Sequence, residues 1–322
     1  MIIDHNGKRI KLLGDTHLGR RFITNVPLHR RDDREKMVWQ QFVQELDPEG
    51  CDCHIHMGDL FDKPVVSLSM IMETYWAYEE AARNNPDTVF FVLRGNHDAS
   101  RDLEVQTAFD VFTALTAELK NVTPVDMLYV SDGLLLCGWH PTIPASEMIE
   151  GLPKSHSTVQ KAFGHWDVDT RSDVHNLIPT LQLKDLGITQ AYTGHIHKPD
   201  AFSRDGIDVT VVGSMQPYAF GEQDNDHLYV TLSLKEAASA TDLKNKCVRI
   251  DLEPGEIFDL TIDCLQLQVR KPEEVASADL DVNLGDFNLS SLYDDVAKEF
   301  TLPETVAEQL RSKWQEAFEV TL

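Results

Sequence analysis

At the ends of five apolar runs along this chain, glycine is followed at once by Asp, Asn or His: Gly14-Asp15-Thr16-His17, Gly58-Asp59, Gly95-Asn96-His97-Asp98, Gly164-His165 and Gly194-His195-Ile196-His197. Carboxylate, amide oxygen and imidazole together suit a divalent ion with mixed nitrogen and oxygen preference, such as Mn2+, Fe2+ or Zn2+, and not a thiolate site. Seven such side chains (Asp15, His17, Asp59, Asn96, His165, His195 and His197) exceed what one ion takes. Two ions ~3.5–4 Å apart sharing a carboxylate form the arrangement that supports in-line attack on a phosphate ester. An Asp after a strand is by itself a turn or cap residue, and a lone Gly-His pair carries no signal. The conjunction carries the reading, since glycine lets the backbone turn closely around an ion.

For these residues to meet, each must stand at the end of an element. The front of the chain alternates short apolar runs with amphipathic stretches, the pattern of an α/β layer fold. Strands are expected at Arg9–Leu13, Cys53–Met57, Thr88–Leu93, Leu134–Gly138, Ala162–Trp166, Thr189–Thr193 and Val209–Gly213, and helices at Arg34–Leu46, Ser67–Arg83 and about Leu103–Leu119. The motifs begin where these strands stop, and the carboxyl ends of strands are where ligands gather in such sheets. His140, His156 and His175 share an interval with His165, but only His165 ends an apolar run directly after glycine. From Leu228 to Arg270 the runs are long and alternating, so that region is expected to be antiparallel. The fold class is α/β, with two facing mixed sheets flanked by helices and a small helical region at the C-terminus. The boundary is placed near the acidic, loop-prone sequence after Lys271-Pro272, giving a domain over 1–270 and a small region over 271–322 with helix-like segments at Leu289–Phe300 and Pro303–Phe318.

Composition narrows the class. The 322 residues, 42% hydrophobic and 25% charged, are ordinary globular material. No run approaches the ~18 apolar residues of a membrane span, and the first residues carry charges where a signal peptide would be apolar. Five scattered cysteines do not make a disulfide framework, so a reducing, cytoplasmic setting is expected. The net charge of −24 argues against binding nucleic acid by bulk electrostatics. One window differs: Lys8 to Lys36 holds nine basic and four acidic residues, while Lys271 to Leu322 holds four basic and twelve acidic.

Two other clusters invite a functional reading. Cys51-Asp52-Cys53-His54-Ile55-His56 has zinc-ligand residue types, but an extended strand points alternate side chains to opposite faces, and Cys53, Ile55 and Met57 read better as core. Tyr75, Trp76 and Tyr78 sit on a helix with Met70, Ile71 and Met72, where core packing is the default and an interface stripe the alternative.

The order D-x-H, G-D, G-N-H-D, G-H, G-H-x-H resembles the calcineurin-like metallophosphoesterase superfamily. Within it, Gly14-Asp15-Thr16-His17-Leu18-Gly19, Gly58-Asp59-Leu60-Phe61-Asp62 and Gly194-His195-Ile196-His197-Lys198-Pro199 resemble the SbcD-like nuclease subunit of SbcC–SbcD complexes. The runs Val212-Gly213-Ser214-Met215 and Ala219-Phe220-Gly221-Glu222, with the short length, look most like the recombination nuclease subunits of tailed phages, which would place the protein in the host cytoplasm.

The resemblance implies a four-layer sandwich and two divalent ions, Mn2+ or Mg2+. It implies that Asp15, His17 and His197 hold one ion, that Asn96, His165 and His195 hold the other, and that Asp59 bridges them. His97 would be the catalytic imidazole, cationic and able to protonate the leaving oxygen, and Asp98 would hold its ring. The implied activity is a DNA exonuclease or endonuclease of recombination, repair and replication. The implied partners are DNA, an SbcC-like coiled-coil ATPase docked on the C-terminal helices, and a second copy of the chain; no membrane is involved. For DNA, the candidates are Arg20, Arg21, Arg30, Arg31 and Lys198, with a solvated helix face as the plain reading of the same window. The rival activity is that of a metallophosphoesterase acting on nucleotides or phosphoproteins. Phosphoprotein phosphatases of this superfamily read G-N-H-E and G-D-x-x-D-R, whereas Asp98 and Lys63 stand at the differing positions here. A non-catalytic scaffold is disfavoured, because buried polar ligands cost stability when they hold nothing.

Overall fold

In a computed structural model, which describes residues 1–152, 159–169, 174–222, 228–271 and 313, the apolar runs are strands and the amphipathic stretches helices. Strand β1 (Ile2–His5) turns through Asn6-Gly7 into β2 (Lys8–Leu13), and this pair begins a sheet ordered β1-β2-β3-β4-β5. The others are β3 (Cys53–His56), β4 (Val89–Leu93) and β5 (Val122–Val125). Only β1 is antiparallel to its neighbour. Helices α1 (Asp33–Glu45), α2 (Leu68–Asn84) and α3 (Ala108–Thr116) return the chain between the parallel strands.

A second sheet has the order β10-β11-β9-β8-β7-β6. It contains β6 (Leu128–Ser131), β7 (Leu134–Cys137), β8 (Lys161–Gly164), β9 (Gln190–Thr193), β10 (Asp200–Arg204) and β11 (Ile207–Val211), with α4 (Ala145–Glu150) and α5 (Thr180–Asp185) between strands. Its two antiparallel edges are hairpins closed by Asp132-Gly133 and Asp205-Gly206, all four residues at positive φ, as two-residue hairpin turns require.

The two sheets face each other. Ile10, Leu12, Ile55, Phe91 and Leu93 of the first share one buried cluster with Leu134, Leu136, Phe163 and Tyr192 of the second. Phe42, Tyr78, Phe90 and Phe112 fill the space between the first sheet and α1, α2 and α3, and Leu135, Ile149, Leu183 and Val209 do the same behind the second. The expected helix–sheet–sheet–helix layering is therefore the architecture.

Three expectations need correction. The Leu228–Arg270 region is a parallel sheet, β12 (Tyr229–Ser233), β13 (Cys247–Asp251) and β14 (Gln266–Arg270), because α6 (Leu234–Ser239) and the long 252–265 connection bring the chain back each time. The helix expected from about Leu103 starts only at Ala108, where Thr107 and Asp110 form a capping box. Strands β1, β5, β6 and β10 and the short helices α4, α5 and α6 were not expected. The chain divides into a unit Met1–Pro272 and a unit Glu273–Leu322, and the helices expected at Leu289–Phe300 and Pro303–Phe318 lie, Lys313 apart, outside the described residues.

Candidate metal centre

Strands β2, β3, β4, β8 and β9 are parallel within their sheets, so their carboxyl ends lie on common edges, and all five motifs begin there. The turns are tight. A Cβ on Gly58 would lie 2.3 Å from His165 Nδ1, and one on Gly95 would lie 2.1 Å from Asp59 Oδ1. His17, Asp59 and His195 all have positive φ, a conformation that costs an L-residue of order 1 kcal/mol and clusters at functional sites.

The side chains converge in two adjoining groups. In the first, Asp15, His17 and His197 bring ligand atoms within 4.8 Å of one another. His17 Nε2 lies 3.0 Å from His197 Nε2, which is 3.7 Å from Asp15 Oδ2. In the second, Asp59, His165 and His195 converge similarly, and Asn96 Oδ1 lies 2.9 Å from both His165 Nε2 and His195 Nδ1. Asp59 faces both groups: Oδ1 is 3.3 Å from His165 Nε2, and Oδ2 is 3.8 Å from His17 Nε2. All seven expected ligands are thus brought together.

The donor set fits a pair of divalent cations. Asp15 Oδ2 is buried and accepts no hydrogen bond, and two imidazole nitrogens of the first group point at each other. Such buried acceptors call for a cation between them. Mixed oxygen and nitrogen donors without sulfur suit Mn2+ and its neighbours.

The electrostatics agree. Burial pushes the Asp15 carboxyl up to about 6, with the Asp59 charge adding to the push. Burial acts on Asp59 too, but His165 and His17 more than offset it and hold that carboxyl below the usual range. Burial would depress His165, yet Asp59 and Asp15 hold it up at about 9, so a cation entering the second group must displace its proton. Burial lowers His17 to about 3 and His195 to about 4, keeping both imidazoles neutral and ready to ligate.

His97 stands beside the centre. Its main-chain N–H donates to Asp59 Oδ1 at 2.8 Å, and its ring Nδ1 donates to the Asp62 carbonyl oxygen at 2.7 Å. The expectation that Asp98 orients this ring is corrected. Both Asp98 oxygens are occupied by the main-chain N–H groups of Leu60, Phe61 and Gly95, so Asp98 ties the second and third motif loops together. Burial pushes its carboxyl up to about 7, with the Asp59 charge contributing. Sequence reasoning gave no role to Asp62 or Glu222, although both stand inside the motif runs; the signal was a carboxylate three residues after Asp59 and another closing the 219–222 run.

The basic candidates separate. Arg20 and Arg21, with Lys63, Asn96 and His97, line an open cavity of about 590 Å³. Arg31 and Lys198 are exposed. Arg30 is not available for DNA: it is buried and donates to Asp33, to the Lys244 carbonyl and to Asp263. Lys11 and Arg34, counted in the same basic window, are also buried; Lys11 pairs with Glu45 and Glu49, and Arg34 bonds to Gln216 and Pro217. Sequence charge overstated the patch because long cations also serve as buried hydrogen-bond donors.

The Cys51–His56 run holds no metal-ligand group among the described residues. Cys53 and Ile55 enter the core between the sheets, while His54 bonds to the Glu45 carbonyl and His56 to Thr16 Oγ1. On α2, Tyr78 is core, as the default reading of that stripe has it, whereas Trp76 is 54% exposed.

Residues 8–199 match the calcineurin-like phosphoesterase family, which is more than half of the chain, and all seven clustered ligands fall inside the match. The chain belongs to that family. Membership makes it a metal-dependent phosphoester hydrolase by type, in keeping with the ligand groups above. Among solved structures it is similar to TT1561 of Thermus thermophilus, with 12% identity over 65% of this chain and 90% of that one and a TM-score of 0.44. It is also similar to GAP50, the anchor in the inner membrane complex of Plasmodium, at 15% identity, 64% and 71% coverage and TM-score 0.38. A third is the phosphopantetheinyl hydrolase PptH from Mycobacterium tuberculosis, at 14% identity, 65% and 93% coverage and TM-score 0.38. No curated protein matches the chain significantly. No helix among the described residues of this calcineurin-like phosphoesterase is long and apolar enough to cross a membrane.

Proposed function

We propose that this calcineurin-like phosphoesterase is a two-metal-dependent DNA nuclease subunit, cutting phosphodiesters as an exonuclease, with endonuclease action as the alternative, in DNA recombination, repair and replication. The observation that carries the reading is the open basic cavity beside His97, where Arg20, Arg21 and Lys63 line a space of about 590 Å³ continuous with Asn96. An open, cation-lined mouth admits a phosphodiester within a polymer. Arginine and lysine there hold non-bridging oxygens of the backbone and fix its register.

Asp15, His17 and His197 would hold one divalent ion and Asn96, His165 and His195 the other, with Asp59 between them; Mn2+ is the proposed metal and Mg2+ its substitute. Bound there, the ions supply Lewis acidity toward the phosphoryl group and lower the pKa of water. The protein's own part is positional. The Asp62 carbonyl accepts from His97 Nδ1, so in the cationic ring it is the Nε2 proton that faces outward and would pass to the leaving oxygen. Arg20 lies 5.2 Å from the Tyr218 ring centroid and 3.6 Å from Asp62, contacts that hold its guanidinium at the cavity.

The proposed partners are an SbcC-like coiled-coil ATPase, docked on residues 271–322, and a second copy of the chain. Supporting the dimer is an exposed groove of about 640 Å³ between α1 and α2, lined by Trp39, Val43 and Trp76. The cytoplasm is the proposed location. The test is digestion of end-labelled single- and double-stranded linear DNA in Mn2+, beside an aryl phosphate monoester and a diester. Release of nucleotides from DNA is expected. Turnover of the monoester alone would replace the nuclease reading with a nucleotide or phosphoprotein phosphatase.

A further inference from the structure

A histidine ligates with one ring nitrogen, and the hydrogen bond on the other nitrogen selects the tautomer that does so. His165 has such a partner in the Met57 carbonyl, 2.9 Å from Nδ1. For His197, whose Nε2 faces Asp15 and His17, the group at Nδ1 is the Glu222 carboxylate, at 3.1 Å.

Glu222 is itself held. The Tyr218 N–H donates to the same Oε2 at 2.6 Å. The segment from Ser214 to Glu222 is fastened to both sides of the first ligand group. Ser214 N–H donates to the His197 carbonyl and Met215 N–H to the Asp15 carbonyl, each at 3.0 Å, while the Tyr218 hydroxyl donates to the Thr16 carbonyl. The Tyr218 ring stands edge-on to His17 with centroids 5.1 Å apart. A strap bonded to the main chain of Asp15, Thr16 and His197 thus ends in a carboxylate placed on the His197 ring.

We propose that Glu222 is a positioning residue for the cation held by Asp15, His17 and His197: it keeps the His197 proton on Nδ1 and the Nε2 lone pair directed at the ion. The inference rests on the two-ion reading above and adds to it a carboxylate beyond the seven ligands. Its negative charge makes the imidazole a more basic ligand, and its second hydrogen bond to Tyr218 fixes the ring plane.

The test is calorimetric titration of Mn2+ into the full-length wild-type protein and into Glu222→Ala and Glu222→Gln, with thermal melting of each before metal is added. Wild type is expected to take two ions. Glu222→Ala is expected to bind one of them normally and the other about 10–100-fold more weakly. Glu222→Gln keeps the size of the side chain and an acceptor for Nδ1, and is expected to recover part of that loss. Melting without metal should be alike in all three. Wild-type affinity for both ions in both variants would overturn the proposal, as would equal weakening of both ions together with early melting in both, which marks a role in folding alone. A wild-type protein that takes up no Mn2+ would overturn the two-ion reading itself, a result visible in a separate arm.

Discussion

His97 is held at the centre as much by its backbone as by its ring. Because its main-chain N–H, not its side chain, donates to Asp59, a substitution should leave the ligand groups in place. His97→Gln is therefore expected to lower hydrolysis by about 10²–10⁴-fold while ion binding and melting temperature stay as in the wild type. Turnover near normal, or loss of ions, would show that the imidazole has another task. His54 offers a residue-scale test away from the chemistry. Burial lowers it to about 4, although its bond to the Glu45 carbonyl works the other way. Above pH 6.5 it is neutral folded and unfolded. As the pH falls from about 6.5 to about 4, only the unfolded chain takes the proton, so stability is lost across that window by on the order of 3 kcal/mol. Melting curves from pH 7 to pH 4 should fall less steeply for His54→Gln than for the wild type, and parallel curves would contradict the assignment.

At the scale of elements, the glycines preceding the motifs matter because loops from different strands touch there. Gly95→Ala would drive a Cβ to 2.1 Å from Asp59 Oδ1 and 2.2 Å from Asp59 N, and the second of these is a main-chain atom that cannot swing aside. Loss of Mn2+ binding and a stability cost of about 1–3 kcal/mol are expected, measured by calorimetry and denaturant unfolding. Gly151→Ala, whose nearest contact would be an ordinary 3.4 Å at a helix end, serves as the control and should bind metal normally. The seven ligands were legible in the sequence because each follows an apolar strand whose length is fixed by crossing a buried sheet. His165 could be chosen over His140, His156 and His175 because it alone ends an apolar run directly after glycine. Contacts between loops were not legible. Asp98 was assigned to His97, its neighbour in sequence, but its carboxylate is drawn to three main-chain N–H groups that the fold leaves facing it. The parallel arrangement of β12, β13 and β14 was missed for a related reason: alternation reports which faces are buried and says nothing of strand direction.

At the scale of the whole molecule, a net charge of −24 concentrates any attraction for a polyanion near the ligand groups and at Arg20, Arg21 and Lys63. The 271–322 segment, with four basic and twelve acidic residues, lies beyond every motif and ligand. A chain ending at Lys271 is expected to fold, take up two ions and cut DNA, yet to lose co-purification with the ATPase partner. Unfolding or aggregation of the shortened chain would instead assign the tail to the stability of the phosphoesterase unit. The proposed centre takes a pair of ions around one shared carboxylate, and counting those ions tests the account most directly. Calorimetry with Mn2+ should find two ions in the wild-type protein and neither at comparable affinity in Asp59→Asn, because Asp59 turns one oxygen toward each ligand group. One ion retained at full affinity in that variant would contradict the shared centre.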